Sequence, residues 1–384
     1  MGIKVIKSVK LLISFVLVFL VSCSCDKSPT DGGNNHYDPR NVSRNEGKSL
    51  VPSLTVDDIG NVHLVWADST PGNYEILYSM KGLGGDWSEP MNISNTPTTL
   101  KGPKVAIDPS GNLHIVWVEE LSINPYIRDI LYSMKLPGDS CSTAINISNT
   151  SPYQGADLPD IGVDASGNVH VVWWELTAMY RMKNAGGTWN PVESTPLYGR
   201  NLAMVVSANG DVHLVSEGGS YSDIYYTMKP SEGSWTEPVK ICETPFYSWT
   251  PDIAIEDEGS LYVVWAEEQK GMLYFSEKSD SGTWMEADSI VKTKDTQLPW
   301  ACQLIAENQG ILHLLWSERT EGGDVYYITR SGDGIWSGMA NVSETSGNSL
   351  CLSISLDASG SLHIAWQDET PGKWDIFYTM IQTR

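Results

Sequence analysis

Hydrophobic and polar positions alternate along this chain in short runs, and the pattern returns about every 50 residues. In the clearest copy, Leu50 to Val56 alternates as a strand does, and Asp57 to Asn61 is a polar turn containing Gly60. Val62 to Trp66 is a second apolar run. Thr70-Pro71-Gly72 breaks the chain before a third run, Glu75 to Met80. A Gly-rich turn from Gly82 to Asp86 leads to a fourth, Trp87 to Ser94. The turn glycine and the run behind it recur at Gly111, Gly167, Gly210, Gly259, Gly310 and Gly360. The elements predicted are therefore seven copies of four short strands, with no helical period.

A supersecondary unit repeated at this spacing cannot cover its own apolar faces and must stack on its neighbours. Four strands per unit and seven units predict an all-β fold, a seven-bladed β-propeller. Large rings stand at fixed places in it. Tyr78, Tyr132, Tyr180, Tyr226, Tyr274, Tyr327 and Tyr378 fall in the third strands. Trp87, Trp189, Trp235, Trp284 and Trp336 open the fourth, with Cys141 in that place in blade 2. The last repeat stops after its third strand, while residues 36–43 match residues 87–94 with Pro, Asn and Ser in register. An N-terminal strand is thus expected to complete the last blade, leaving no open edge.

Composition agrees with one propeller over residues 36–384, since 41% hydrophobic residues, with 15 Trp and 17 Tyr, suffice for a core. The first 35 residues differ. Lys4, Lys7 and Lys10 precede an apolar run from Leu11 to Val21, too short for a comfortable membrane span. It ends in Leu20-Val21-Ser22-Cys23, which resembles the lipobox of bacterial lipoprotein signal peptides. The resemblance implies removal of residues 1–22, acylation of Cys23 and a membrane partner reached through that lipid, with residues 23–35 as a flexible tether. It places the protein in the bacterial envelope on the extracytoplasmic side. Ser24 after the lipid Cys implies the outer membrane in a Gram-negative cell.

A net charge of −22, from 47 acidic and 25 basic residues, repels phosphate backbones and argues against a nucleic-acid partner. Cys141, Cys242, Cys302 and Cys351 sit at non-equivalent places and read as small buried hydrophobes. Cys302 and Cys351, at the starts of neighbouring repeats, are the pair that geometry would have to test for a bond.

The fourth-strand turns Gly186-Gly187-Thr188-Trp189, Ser281-Gly282-Thr283-Trp284, Ser231 to Trp235 and Ser331 to Trp336 look like shortened Asp-box repeats. The resemblance is to sialidase-like propellers and covers residues 36–384. It implies that these turns lie opposite the binding face. A sialidase would also carry three Arg clamping a carboxylate, a Tyr nucleophile with a Glu partner, and an Asp acid. Arg44, Arg128, Arg200 and Arg319 fall in loops of the binding face, but none stands in an Arg-Ile-Pro context in the first blade.

Six of the seven His (His63, His114, His170, His213, His313 and His363) share one repeat position. Chemistry needs a catalytic residue once, so this set reads as structural, and no catalytic residue is assigned. Carboxylates recur after the second strand (Asp68, Glu119, Glu175, Glu267, Glu318, Asp368) and at the start of the third (Glu75, Asp129, Asp223, Asp324, Asp375). Two readings stand. One is a crown able to hold Ca²⁺; the other is acceptors for loop N–H groups, with no metal or other cofactor.

Departures from the repeat are the better binding candidates. Trp174, Trp249, Trp300 and Trp374 fit no Trp position shared by the repeats, and Tyr198, Phe246 and Tyr247 lie in the same loops. In blade 4, Ser216-Glu217-Gly218 replaces the usual Trp-x-acid. Rings with carboxylates such as Glu217 beside them suit stacking on sugar faces. The reading is a non-catalytic binding module for a glycan or an envelope protein. A sialidase-like glycoside hydrolase and an interaction scaffold are the alternatives.

Overall fold

Each repeat folds into a four-stranded antiparallel sheet, and seven such sheets stand in a ring. The computed structural model describes residues 37–383 except 124–125, 220–221, 243–246, 258, 268–270, 280–281, 293–300 and 319–321. In blade 1 the strands run Ser49–Val56, Val62–Asp68, Glu75–Lys81 and Met91–Asn92, in that order across the sheet. The fourth strand is shorter than its sequence run. Trp87 makes only an isolated bridge to Lys81, and Pro90, which has no N–H to give a ladder, precedes the two paired residues. The last blade takes Ser349–Leu356, Ser361–Asp368 and Asp375–Gln382 from the end of the chain. Its outer position is held by Arg40–Asn41, with Arg40 opposite Tyr378 and Asn41 opposite Phe377. His36–Thr383 forms one compact unit.

First strands are innermost, each touching the first strand of both neighbours. They carry a repeated bulge. Val51, Gly102, Leu158, Thr250 and Cys351 adopt positive φ between ladder pairs that shift register. The residue two places on then reaches across to the next blade. Ser353 Oγ accepts from Leu54 N at 3.0 Å, Ser53 Oγ from Val105 N at 3.1 Å, and Asp160 Oδ2 from Met204 N at 3.0 Å. Asp252 Oδ2 accepts from Leu304 N at 2.6 Å. Four of the five bulges thereby hydrogen-bond one inner strand to the next around the central channel.

Second strands supply the core. Trp66, Trp117, Trp173, Trp265, Trp316 and Trp366 are fully buried, and Ser216 stands in that place in blade 4. The apolar clusters lie between sheets. One joins Leu54 and Trp66 of blade 1 to Ala365 and Tyr378 of blade 7, so the two ends of the repeat array meet. Cys242 and Cys302 are buried in such clusters, Cys141 packs against one, and none of the four described cysteines is in a disulfide.

The repeated His is locked inside these interfaces. Nδ1 meets the third-strand Tyr hydroxyl of its own blade at 2.9 Å in His63–Tyr78, and at 2.7 to 2.8 Å in the pairs of His114, His170, His213, His313 and His363. Nε2 faces an acid of the preceding turn: Asp57, Asp108, Glu307 or Asp357. The next blade's Trp then stands edge-on to the Tyr ring, as Trp189 does to Tyr132 at 5.0 Å and Trp87 to Tyr378 at 5.1 Å. Tyr37 joins the corresponding cluster with Tyr327.

Blade 5 corrects one alignment. Register places Phe275, not Tyr274, opposite Val264, and Tyr274 stacks instead on Trp265. Here Tyr262 takes the place of His and gives its hydroxyl to Glu256 at 3.3 Å. With no imidazole to satisfy, the partner needs no hydroxyl, and Phe suffices.

Burial holds all six of these imidazoles below their ordinary pKa, His213 to about 4. The unfolded chain therefore binds protons more readily than the native one. Stability from the layer is complete above about pH 6.5 and is lost as pH falls toward 4, on the order of 3 kcal/mol for His213 alone. The melting temperature should drop steeply between pH 6.5 and 4.5, which calorimetry across that window measures. Tyr327→Phe should cost about 1–3 kcal/mol by orphaning His313 Nδ1. Adding His313→Tyr, which copies blade 5 beside the existing Glu307, should recover most of that loss in denaturant titration.

Candidate functional site

The ring has two unlike ends. Turns joining strands one to two and three to four share one, the turn face, with the His layer near it. Loops joining strands two to three and blade to blade form the other, the loop face.

Both periodic carboxylate sets lie at the loop face and are engaged from within. Asp68 accepts from Ser49 Oγ (2.7 Å), Trp66 Nε1 (2.9 Å), Thr70 N (2.8 Å) and Asn45 Nδ2. Asp368 repeats this with Ser349, Trp366, Thr370 and Thr345. Burial alone would raise the Asp68 carboxyl; its donors together outweigh that and hold it below the ordinary value. In the second set Asp129 accepts from Asn146 Nδ2 (2.7 Å), Ser148 Oγ (2.8 Å) and Thr150 N (2.6 Å), while Ser148 Oγ accepts from Ile130 N (2.9 Å). Asn92 with Ser94, Asn341 with Ser343, and Asn41 with Ser43 occupy the same place in their blades. The Asn-x-Ser triplets are thus latches that fasten each outer strand to the third, and the recurring acids are their acceptors. Among the described residues no group of three or more His, Cys, Asp or Glu is arranged to hold a metal ion.

The off-template residues are distributed unevenly. Trp374 occupies the position of Tyr74, its carbonyl accepting from Ser49 N as Tyr74 O accepts from Leu100 N. It belongs to the seam between blades 7 and 1. Phe246, Trp300, Arg319 and Cys23 lie outside the described residues.

Trp174, Tyr198 and Glu217 come together at the junction of blades 3 and 4. Trp174 ends the second strand Val169–Trp174, opposite Asp157. The Arg200 guanidinium lies over its ring, 3.9 Å from the centroid. Glu217 sits close behind, buried at 7% exposure, with Oε2 lacking a hydrogen-bond partner. Burial pushes its carboxyl above the ordinary range, against the Asn201 side chain and the Arg200 charge. Gly199 makes this possible, because a Cβ there would fall 1.2 Å from the Glu217 carbonyl oxygen. Only glycine lets the loop bearing Tyr198 and Arg200 press so closely on Glu217. Tyr198 itself is 77% exposed, and Tyr153, on the preceding blade connection, is 78% exposed. On blade 5, Tyr247 and Trp249 flank the buried Ser248, ring centroids 6.4 Å apart.

Among the described loop-face arginines, Arg44, Arg128 and Arg200 do not share a partner. Arg44 donates to Asn41 O at 2.8 Å, Arg128 pairs with Asp157, and Arg200 lies on Trp174. Sequence reasoning singled out Glu217 and the rings but missed Gly199 and Asn201. The one available signal was Tyr198-Gly199-Arg200, a glycine between two large side chains.

In the central channel Lys104 Nζ lies 3.8 Å from Asp160. Burial pushes Asp252, which the channel leaves half-buried, to about 7, with the Asp160 charge adding to it. A cavity of about 370 Å³ opens on the turn face between blades 3 and 4, away from the aromatic residues.

No protein-family model matches this chain, and no curated protein matches it. Solved structures do. The BP39L lectin from Burkholderia pseudomallei superposes with TM-score 0.63 at 13% identity, covering 86% of this chain and 98% of that one. An ulvan lyase from a new polysaccharide lyase family gives 0.63 at 11% identity, over 89% and 95% of the two chains. The NanB sialidase from Streptococcus pneumoniae gives 0.53 at 12% identity, over 90% and 71%. At these identities the likeness speaks to fold: the chain is a sialidase-like seven-bladed propeller.

Two outcomes follow from the carboxylates. Ser148→Ala should cost about 2–3 kcal/mol in chemical denaturation, since it leaves Asp129 and Ile130 N short of a partner. Asp252 has the opposite sign to the His layer, its stability being complete at acid pH and lost as pH rises through about 7. Asp252→Asn should therefore raise the melting temperature most at pH 8, less at pH 5, and hardly at all below about pH 4.

Proposed function

We propose that this propeller is a non-catalytic glycan-binding module, seated through its loop face over blades 3 to 5 and held at the bacterial envelope by a lipid on Cys23. The observation that carries the reading is the Arg200 guanidinium lying over the Trp174 ring with Glu217 beside it. A guanidinium stacked on an indole, with a carboxylate beside it, offers a planar surface for a sugar ring and partners for its hydroxyls. Tyr198, Tyr153 and the Tyr247–Trp249 pair extend that surface. The imidazoles are committed to the blade interfaces, and Arg44, Arg128 and Arg200 do not form a clamp, which favours binding over hydrolysis.

A protein partner is the second reading, favoured by Leu121, Leu158 and Leu176 exposed along the same face. A glycosidase would use the high-pKa Glu217 and needs a second carboxylate. Its neighbours Asp157 and Asp223 are instead paired with Arg128 and Lys240.

The test is binding of a soluble fragment, residues 26–384, to an array of bacterial, plant and sialylated glycans. A ligand should be found, and Arg200→Ala or Trp249→Ala should weaken it at least tenfold, about 1.4 kcal/mol. Hydrolysis of an array member would put the enzyme first, and silence across the array would turn the search to envelope proteins.

A further inference from the structure

At four blade interfaces the cation ending one third strand lies over the preceding blade's ring. Lys135 covers Tyr78 at 5.3 Å, Lys183 covers Tyr132 at 5.8 Å, Lys278 covers Tyr226 at 4.5 Å and Arg330 covers Phe275 at 5.2 Å. Between blades 3 and 4 the equivalent residue, Lys229, is drawn elsewhere. It donates to Gly233 O at 2.5 Å and pairs with Glu193 at 3.3 Å. Glu193 is the cause. It stands opposite Tyr180 on the outer strand of blade 3, where blades 1, 2, 4 and 6 carry Met91, Ile145, Val239 and Ala340. With the lysine gone from the ring, the cavity of about 370 Å³ opens there on the turn face.

His170, Tyr180, Met182, Glu193 and Lys229 line this space together with Asp164. His170 is 2% exposed and its Nδ1 is met by the Tyr180 hydroxyl, yet its Nε2 has no hydrogen-bond partner. Asp164 Oδ2 stands 3.6 Å away, against 3.3 Å between Asp108 and His114, while Asp164 accepts from Ser166 N, Asn168 N and Asn168 Nδ2.

We infer that this inter-blade cavity is a second binding site, for a small neutral polyhydroxylated molecule of monosaccharide size. Lys229 is paired with Glu193, and Asp164 is engaged by its own turn and faces His170, so no bare charge calls for an ion. What remains is the Glu193 and Lys229 head groups, the polar side chains of Asn190 and Ser231, and the apolar Met182, which together suit hydroxyl groups on a carbon ring. The volume accommodates about a dozen non-hydrogen atoms at the share of space water takes in the liquid.

The test is saturation-transfer NMR on the full-length chain with D-glucose, D-galactose, D-mannose, L-rhamnose and N-acetyl-D-glucosamine at millimolar concentration. At least one sugar should receive saturation. The signal should fall at least fivefold in Met182→Trp, which fills the cavity, and in Lys229→Met, a surface change that serves if the first variant does not fold. No transfer to any sugar would overturn the inference. So would transfer that survives a folded pocket variant, or that is lost in Arg200→Ala instead, which places the sugar on the loop face.

Discussion

Every sheet in this molecule has two apolar faces and only other sheets to cover them. That constraint forces the ring, and it also decides which polar groups can exist inside it. A buried imidazole or phenol hydroxyl finds its partner within the same narrow seam. The His–Tyr pair with the next blade's Trp set against it is the arrangement that recurs, because it fills the seam with rings while the imidazole and the phenol hydroxyl satisfy each other. The carboxylate latches do the same at the opposite end, where Asp129 gathers the outer strand and the following connection onto the third strand.

The candidate sites arise where blades 3 and 4 depart from this pattern. Blade 4 has Ser216 for the buried Trp and an inner strand of only Ala203–Val206, with Asn201 at positive φ just before it. The loop of Tyr198 and Arg200 can then settle against Glu217. On the other face of the same junction, Glu193 pulls Lys229 off its ring. One irregular pair of blades thus bears both the exposed platform and the enclosed cavity.

Much of the fold was legible in the chain because its signals are periodic. Turn glycines, second-strand Trp and third-strand Tyr are each repeated, so a misread copy is outvoted by the others. Tyr274 was such a misreading: an adjacent Phe275 held the position, and only strand register separates the two. The site was less legible for the opposite reason. Trp174 and Glu217 stood out as exceptions, but Trp374 looked equally exceptional and proves to be the counterpart of Tyr74. Arg200 on Trp174 and Gly199 against Glu217 are contacts between blades, set by loop paths that local pattern does not encode. The Lys229 displacement is invisible without knowing which outer-strand residue faces Tyr180.

Blade 5 bears on how a chain of this kind diverges. Its Tyr262 and Phe275 stand where its sister blades hold His and Tyr, so a hydrogen bond was exchanged for another rather than lost. A change at either position alone strands a nitrogen or a hydroxyl in a dry seam, a valley between two equally good states. Copying a whole blade into a neighbouring slot carries both residues at once and bypasses the valley. Seams of this design are therefore conservative toward point mutation yet permissive toward duplication, and a repeat array governed by them grows by blades more readily than it drifts by residues.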